Sequence, residues 1–110
     1  MSGVTYLASP YTHADPAVRE ARFRAVVKKA AELMLSGECV FSPIAHTHEI
    51  GLLIERPVDH DFWMLQDVAI LRHCAKVSVL MLPGWMESKG VAQEIRLARD
   101  MNIPVEYVEP

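Results

Sequence analysis

The chain has 110 residues, 51% of them hydrophobic, which is a single domain's worth of sequence with enough apolar material for a core. Asp and Glu number 14 against 11 Lys and Arg, a net charge of −3, and the basic residues form no run, which speaks against a nucleic-acid partner. The longest apolar stretch, Val77 to Pro83, falls well short of the ~20 residues of a bilayer span, and no signal peptide is legible. Cys39 and Cys74 lack CxxC spacing and read as buried thiols of a reducing compartment, so a cytosolic protein away from membranes is expected.

Val4 to Ala8 is short, β-branched and aromatic, and Ser9-Pro10 closes it: a buried first strand. Asp15 before Pro16 is an N-cap followed by a first-turn proline. The helix it opens runs to about Leu35, with Phe23, Val26/Val27, Ala30 and Leu33/Met34 at helical spacing and Ser36-Gly37 as its stop. Cys39 to Phe41 reads as a second strand ended by Ser42-Pro43. Ile44 to Val58 shows no clean period and reads as a long connection with about one helical turn. A second helix is expected from Asp59 or Asp61 to His73, with Trp63, Leu65/Gln66 and Ile70 on its buried face. Val77 to Leu82 is apolar at nearly every position, as a central strand covered on both faces must be. After a turn at Pro83-Gly84-Trp85, Ser88 is an N-cap, and Val91, Ile95 and Ala98 line the inner face of a last helix ending near Asn102. Pro104 to Tyr107 is the final strand.

Strands alternating with helices imply right-handed crossovers, hence a small doubly wound α/β domain, flavodoxin- or Rossmann-like, over residues 1–110. It should have a parallel sheet of four to five strands and helices on both faces. Such sheets bind ligands at the carboxyl ends of their strands, here Ser9 to His13, Ser42 to His48 and Pro83 to Gly90.

Glu94 lies in the last helix between the small residues Gly90 and Ala98, which leave room for a ligand; Asp67 sits on the preceding helix and Tyr6 in the first strand. On spacing alone each also fits an ordinary place, as a solvated glutamate, a surface aspartate and a core tyrosine. His46-x-His48 with His13 and Glu49 has no specific metal spacing, and no HExxH, GxGxxG, Walker or GxSxG pattern is present, so neither metal nor organic cofactor is expected.

Thr5-Tyr-Leu-Ala-Ser-Pro-Tyr11, Asp67 to Leu80 and Pro83 to Ala98 together resemble the nucleoside 2-deoxyribosyltransferase superfamily. The likeness covers nearly the whole chain and is nearest to the superfamily's small bacterial branch with the Leu82 to Gly90 loop pattern, related to the nucleoside 5′-monophosphate N-glycosidases. The resemblance implies that Glu94 is the nucleophile at the anomeric carbon, that Tyr6 orients it, and that Asp67 assists at the nucleobase. A second aspartate that relatives often place after that helix is Ala75 here. Six residues before the nucleophile the transferases carry an acidic residue and the N-glycosidases a phosphate-binding serine; here it is Ser88, at a helix start suited to an anion, with Lys89 beside it. Ser9, Tyr11, His46, Ser88 and Gly90 are the expected substrate-binding residues. The implied function is hydrolysis of a nucleoside 5′-monophosphate to base and sugar phosphate; the alternatives are a deoxyribosyltransferase or a non-catalytic nucleotide-binding module. So small a domain, with Trp63 and Trp85 available for contacts, is expected to form a homo-oligomer.

Overall fold

The structure, a computed structural model, describes residues 3–110. Four strands, β1 (Thr5–Ala8), β2 (Val40–Phe41), β3 (Lys76–Leu80) and β4 (Val105–Val108), form one sheet in the order β2-β1-β3-β4, all pairs parallel. The helices are α1 (Pro16–Leu35), α2 (Pro43–Leu53), α3 (His60–Leu71) and α4 (Lys89–Asp100). Residue alternation in the strands sorts the core into two layers. Tyr6, Ala8, Val77 and Val79 pack with Leu71, Val91 and Ala98, whereas Leu7 and Leu80 pack with Val26 and Ala30. Thus α3 and α4 cover one face and α1 the other, the doubly wound arrangement expected. The chain leaves β1 toward one edge and β3 toward the other, so the switch point lies between β1 and β3, registered Thr5 to Lys76 through Ala8 to Val79.

The local signals of α1 act as read. Asp15 Oδ1 accepts from Ala17 N at 2.9 Å, Pro16 occupies the first position, and Gly37, at φ +107°, turns the chain out so that the Glu38 N–H reaches back to the Leu33 carbonyl at 3.1 Å.

Four sequence expectations need correction. The stretch after β2 is not a loop: Ser42 caps α2, its Oγ accepting from Ala45 N at 3.0 Å with Pro43 in the first position, so three turns of helix stand where one was expected. In α3 the buried positions are Met64 and Leu71, and Leu65 is 72% exposed. The stripe is rotated because α3 packs on the sheet through Leu71, and Asp67 and Met64, one and two turns before it, share that face. Cys39 is exposed and only Cys74 is buried, because β2 pairs only through Val40 and Phe41 and leaves Cys39 before the ladder. β3 shares the centre of the sheet with β1. Among the described residues no helix is long and apolar enough to cross a membrane.

Candidate active site

A cleft of about 700 Å³ opens over the carboxyl end of β1, where Ser9 lines it, and is walled by the amino-terminal halves of α3 and α4 on one side and by α1 and α2 on the other. Its deepest polar group is Glu94. On α4 the apolar stripe runs Val91, Glu94, Ala98, so helix geometry carries the carboxylate inward with two hydrophobic neighbours, and Glu94 is only 4% exposed. A carboxylate there needs a donor, and the hydroxyl of Tyr6, itself fully buried in β1, donates to Glu94 Oε2. Asp67 enters the same cleft from α3.

The electrostatics follow from burial. Glu94 is pushed up to about 8: desolvation dominates, the Tyr6 hydrogen bond pulls the other way, and the nearby charge of Asp67 adds to the rise. Asp67, less deeply placed, is pushed up to about 6 by desolvation, with His60 opposing. Burial, then the negative charges of Glu94 and Asp67, drive Tyr6 far above the usual phenol range, so it stays protonated and acts as a donor. Two carboxyl groups in one pocket do separate, but the deeper one, Glu94, holds its proton more tightly. Between the two values the pair carries one proton.

The amino end of α4 forms the other pole of the cleft. Ser88 Oγ accepts from Val91 N at 3.2 Å as N-cap, which leaves its own O–H free to donate, and Lys89 follows it. Gly90 keeps this end open: a Cβ there would lie 3.9 Å from both Ser88 Oγ and His60 Cε1. Ser9, at the exit of β1, is buried, and its Oγ has no hydrogen-bond partner among the described residues. Arg22 ties the neighbouring loops together, donating to the carbonyls of Thr12 at 3.1 Å and Pro83 at 3.3 Å.

Of the residues singled out from sequence, Glu94, Asp67, Ser9, Tyr11, Ser88 and Gly90 line the cleft, and Tyr6 touches it through Glu94. His46 does not: it is exposed and leans on Phe41, with ring centroids 5.5 Å apart. The reason is that both histidines belong to α2, where an offset of two residues is a rotation of about 200°, so one helix face cannot carry both. His48 takes the cleft-lining place instead. His60, whose Nε2 lies 2.6 Å from Gln93 Oε1, also lines the cleft and was not foreseen; it directly follows the Asp59 N-cap, the signal that would have placed it. Among the described residues no group of three or more His, Cys, Asp or Glu stands together to hold a metal ion.

No curated protein matches the chain. A solved structure of a 2-deoxyribosyltransferase from the psychrotolerant bacterium Bacillus psychrosaccharolyticus superposes with a TM-score of 0.69 at 22% identity, over 97% of this chain and 72% of that one. At that identity the likeness is one of fold, and it is the flavodoxin-like fold derived above. A family model described as a domain of unknown function, DUF1937, matches residues 3–109, nearly the whole length, and to that family this chain belongs.

Proposed function

We propose that the protein cleaves the N-glycosidic bond of a nucleoside 5′-monophosphate, with Glu94 as nucleophile. The observation that carries this reading is the buried Glu94 carboxyl, gripped by Tyr6 and facing Asp67 across one cleft. Such a pair suits a bond that breaks through an oxocarbenium-like state, where one carboxylate traps the sugar and one carboxylic acid protonates the departing base.

In the first step Glu94, ionised, bonds to the anomeric carbon as the carbon–nitrogen bond breaks, and the proton on Asp67 passes to the base nitrogen. In the second, water attacks the same carbon, its proton returns to Asp67, and Glu94 leaves as carboxylate. The productive form therefore has the proton on Asp67 and the charge on Glu94, the reverse of the preference set by burial. Because Glu94 is the more strongly desolvated of the two, that arrangement is the minor fraction of the singly protonated pair in the empty site. Tyr6 raises that fraction, because its hydroxyl stabilises the charged form of Glu94.

The phosphate goes to the Ser88 end. There a free hydroxyl, the backbone N–H groups opening α4 and Lys89 suit an anion, and the unpaired Ser9 Oγ at the exit of β1 supplies a further donor. Chemistry of this kind asks for neither metal nor organic cofactor. The fold shared with a 2-deoxyribosyltransferase favours one second reading, base exchange on a deoxynucleoside by the same glutamate. We also read the protein, a cytosolic single domain on the sequence argument above, as a homo-oligomer, because Leu52 at the cleft, Leu53 and Leu65 are 73%, 81% and 72% exposed and a neighbouring copy would cover them.

Incubation with a panel of nucleoside 5′-monophosphates and detection of free base tests the reading. Base release that leaves sugar phosphate supports it. Release only when a second base is supplied assigns the transferase, and binding without release assigns a nucleotide-binding module.

A further inference from the structure

The wall of the cleft opposite α4 carries a second hydrogen-bonded chain that the reaction above does not use. The Tyr11 hydroxyl, from the loop after β1, lies 2.7 Å from His48 Nδ1 on α2, and His48 Nε2 lies 3.2 Å from Glu20 Oε1 on α1. The imidazole is fixed in orientation: Phe23 stacks on it at 4.0 Å between centroids and 15° between planes, and the side chain is 7% exposed. The other Glu20 oxygen lies 3.2 Å from Arg24 Nε, one turn along α1.

The donors and acceptors in this chain have one consistent assignment while His48 is neutral. A carboxylate accepts only, so Nε2 must carry the imidazole proton and donate to Glu20. Nδ1 is then a lone pair, and the Tyr11 hydroxyl must spend its single proton on it. What Tyr11 retains for the cleft is an oxygen that accepts and cannot donate. Tyr11 and His48 both line the cleft, so this acceptor faces whatever fills it.

We propose that Tyr11 is a specificity-determining contact, held as an acceptor by His48 and Glu20, and that it selects ligands presenting an O–H or N–H donor to that wall. On a nucleotide the donor is a sugar hydroxyl or an exocyclic amine of the base. The inference rests on the nucleotide reading given above; His48 and Glu20 are positioning residues that act through Tyr11.

Two measurements test it. In the ligand-free protein, the nitrogen-15 shifts of His48 should show a protonated Nε2 and an unprotonated Nδ1 at neutral to mildly alkaline pH; the opposite tautomer overturns the proposal before any ligand is added. Calorimetric affinities are then compared for matched pairs: a ribonucleotide with its 2′-deoxy and 3′-deoxy forms, and amino-bearing with keto-bearing bases. The parent should favour the donor-bearing member of one pair by about three- to tenfold, the span of an ordinary net hydrogen bond, and the pair concerned identifies the donor. Tyr11→Phe should abolish that preference and leave affinity for the donor-lacking member unchanged. Glu20→Met, which lets His48 take either tautomer, should reduce the preference with the same selectivity. Tyr11→Phe weakening both members equally, or changing neither, overturns the proposal while leaving the nucleotide reading intact. A parent protein that binds no nucleotide overturns both.

Discussion

Removing one oxygen from the core of the cleft gives a quantitative test of the proposed chemistry. Tyr6→Phe keeps the ring, which packs in the core and lies 5.8 Å from Phe41, and deletes only the hydroxyl that donates to Glu94. If activity requires one proton on the Asp67–Glu94 pair, kcat/KM for base release is bell-shaped in the parent, with an acid limb near about 6 and an alkaline limb near about 8. The hydroxyl stabilises the ionised carboxylate, so its loss destabilises the charged form and raises the value of Glu94. A hydrogen bond to a charged group is worth about 1.5–3 kcal/mol and one pH unit is about 1.36 kcal/mol, so the alkaline limb moves up by roughly one to two units. The same free energy is lost from the productive arrangement, so the maximum of kcat/KM falls about ten- to a hundredfold. The acid limb stays in place, because Asp67 is governed by its own burial and by His60. The assay is initial-rate base release between about pH 5 and 10 on a folded variant. An alkaline limb that stays put or moves down, or a maximum unchanged by the substitution, refutes the assignment of Tyr6 and Glu94.

Further outcomes follow from the same reading. Glu94→Gln should cut base release by several orders of magnitude with substrate binding retained, as measured by single-turnover kinetics and calorimetry. The same variant should also be the more stable protein in base. The native state binds the Glu94 proton more tightly than the unfolded chain, since the carboxyl rises from 4.5 to about 8, so parent stability declines as pH rises through that window, whereas the variant keeps only the smaller decline that Asp67, raised to about 6, brings to both proteins. Melting temperatures should therefore agree near pH 4 and differ by several degrees at pH 8 or above. Ser88→Asp should keep α4 capped and yet reverse a preference for nucleotide over nucleoside, because it puts like charges together; affinities for a monophosphate and its nucleoside check this, and a variant that still favours the nucleotide reduces Ser88 to a cap. Light scattering at micromolar concentration should give at least a dimer mass, and base release should persist after chelation with no stoichiometric metal in elemental analysis.

The elements with strong local signals were legible in the chain. Asp15-Pro16 at one end and Ser36-Gly37 at the other bound α1 in sequence as they do in space, because a cap and a stop are decided by residues within one turn. The stretch Val77 to Leu82, apolar at every position but Ser78, likewise reports a strand covered on both faces, whoever covers it. The Ser42-Pro43 pair carries the same start signal for α2 but equally ends a strand, since both place a break at that point and the helix that follows, Pro43–Leu53, has little amphipathic contrast to decide between them. The break alone does not place the histidines, because in a loop His46 and His48 are equivalent candidates and in a helix they face opposite ways.

Glu94 was legible as a position, between Val91 and Ala98 on one stripe, but its depth was not. A carboxylate on an apolar stripe is solvated at a helix end and buried under a sheet, and only the packing of α4 across β1 and β3, which brings Tyr6 to it from 88 residues away, decides which. The order of the two carboxyl groups had the same origin, since desolvation depends on how much protein surrounds a charge and so on every element packed around it. Sequence determined which groups stand at the carboxyl ends of the strands; tertiary structure decided which of them lose water, and with it which one holds the proton.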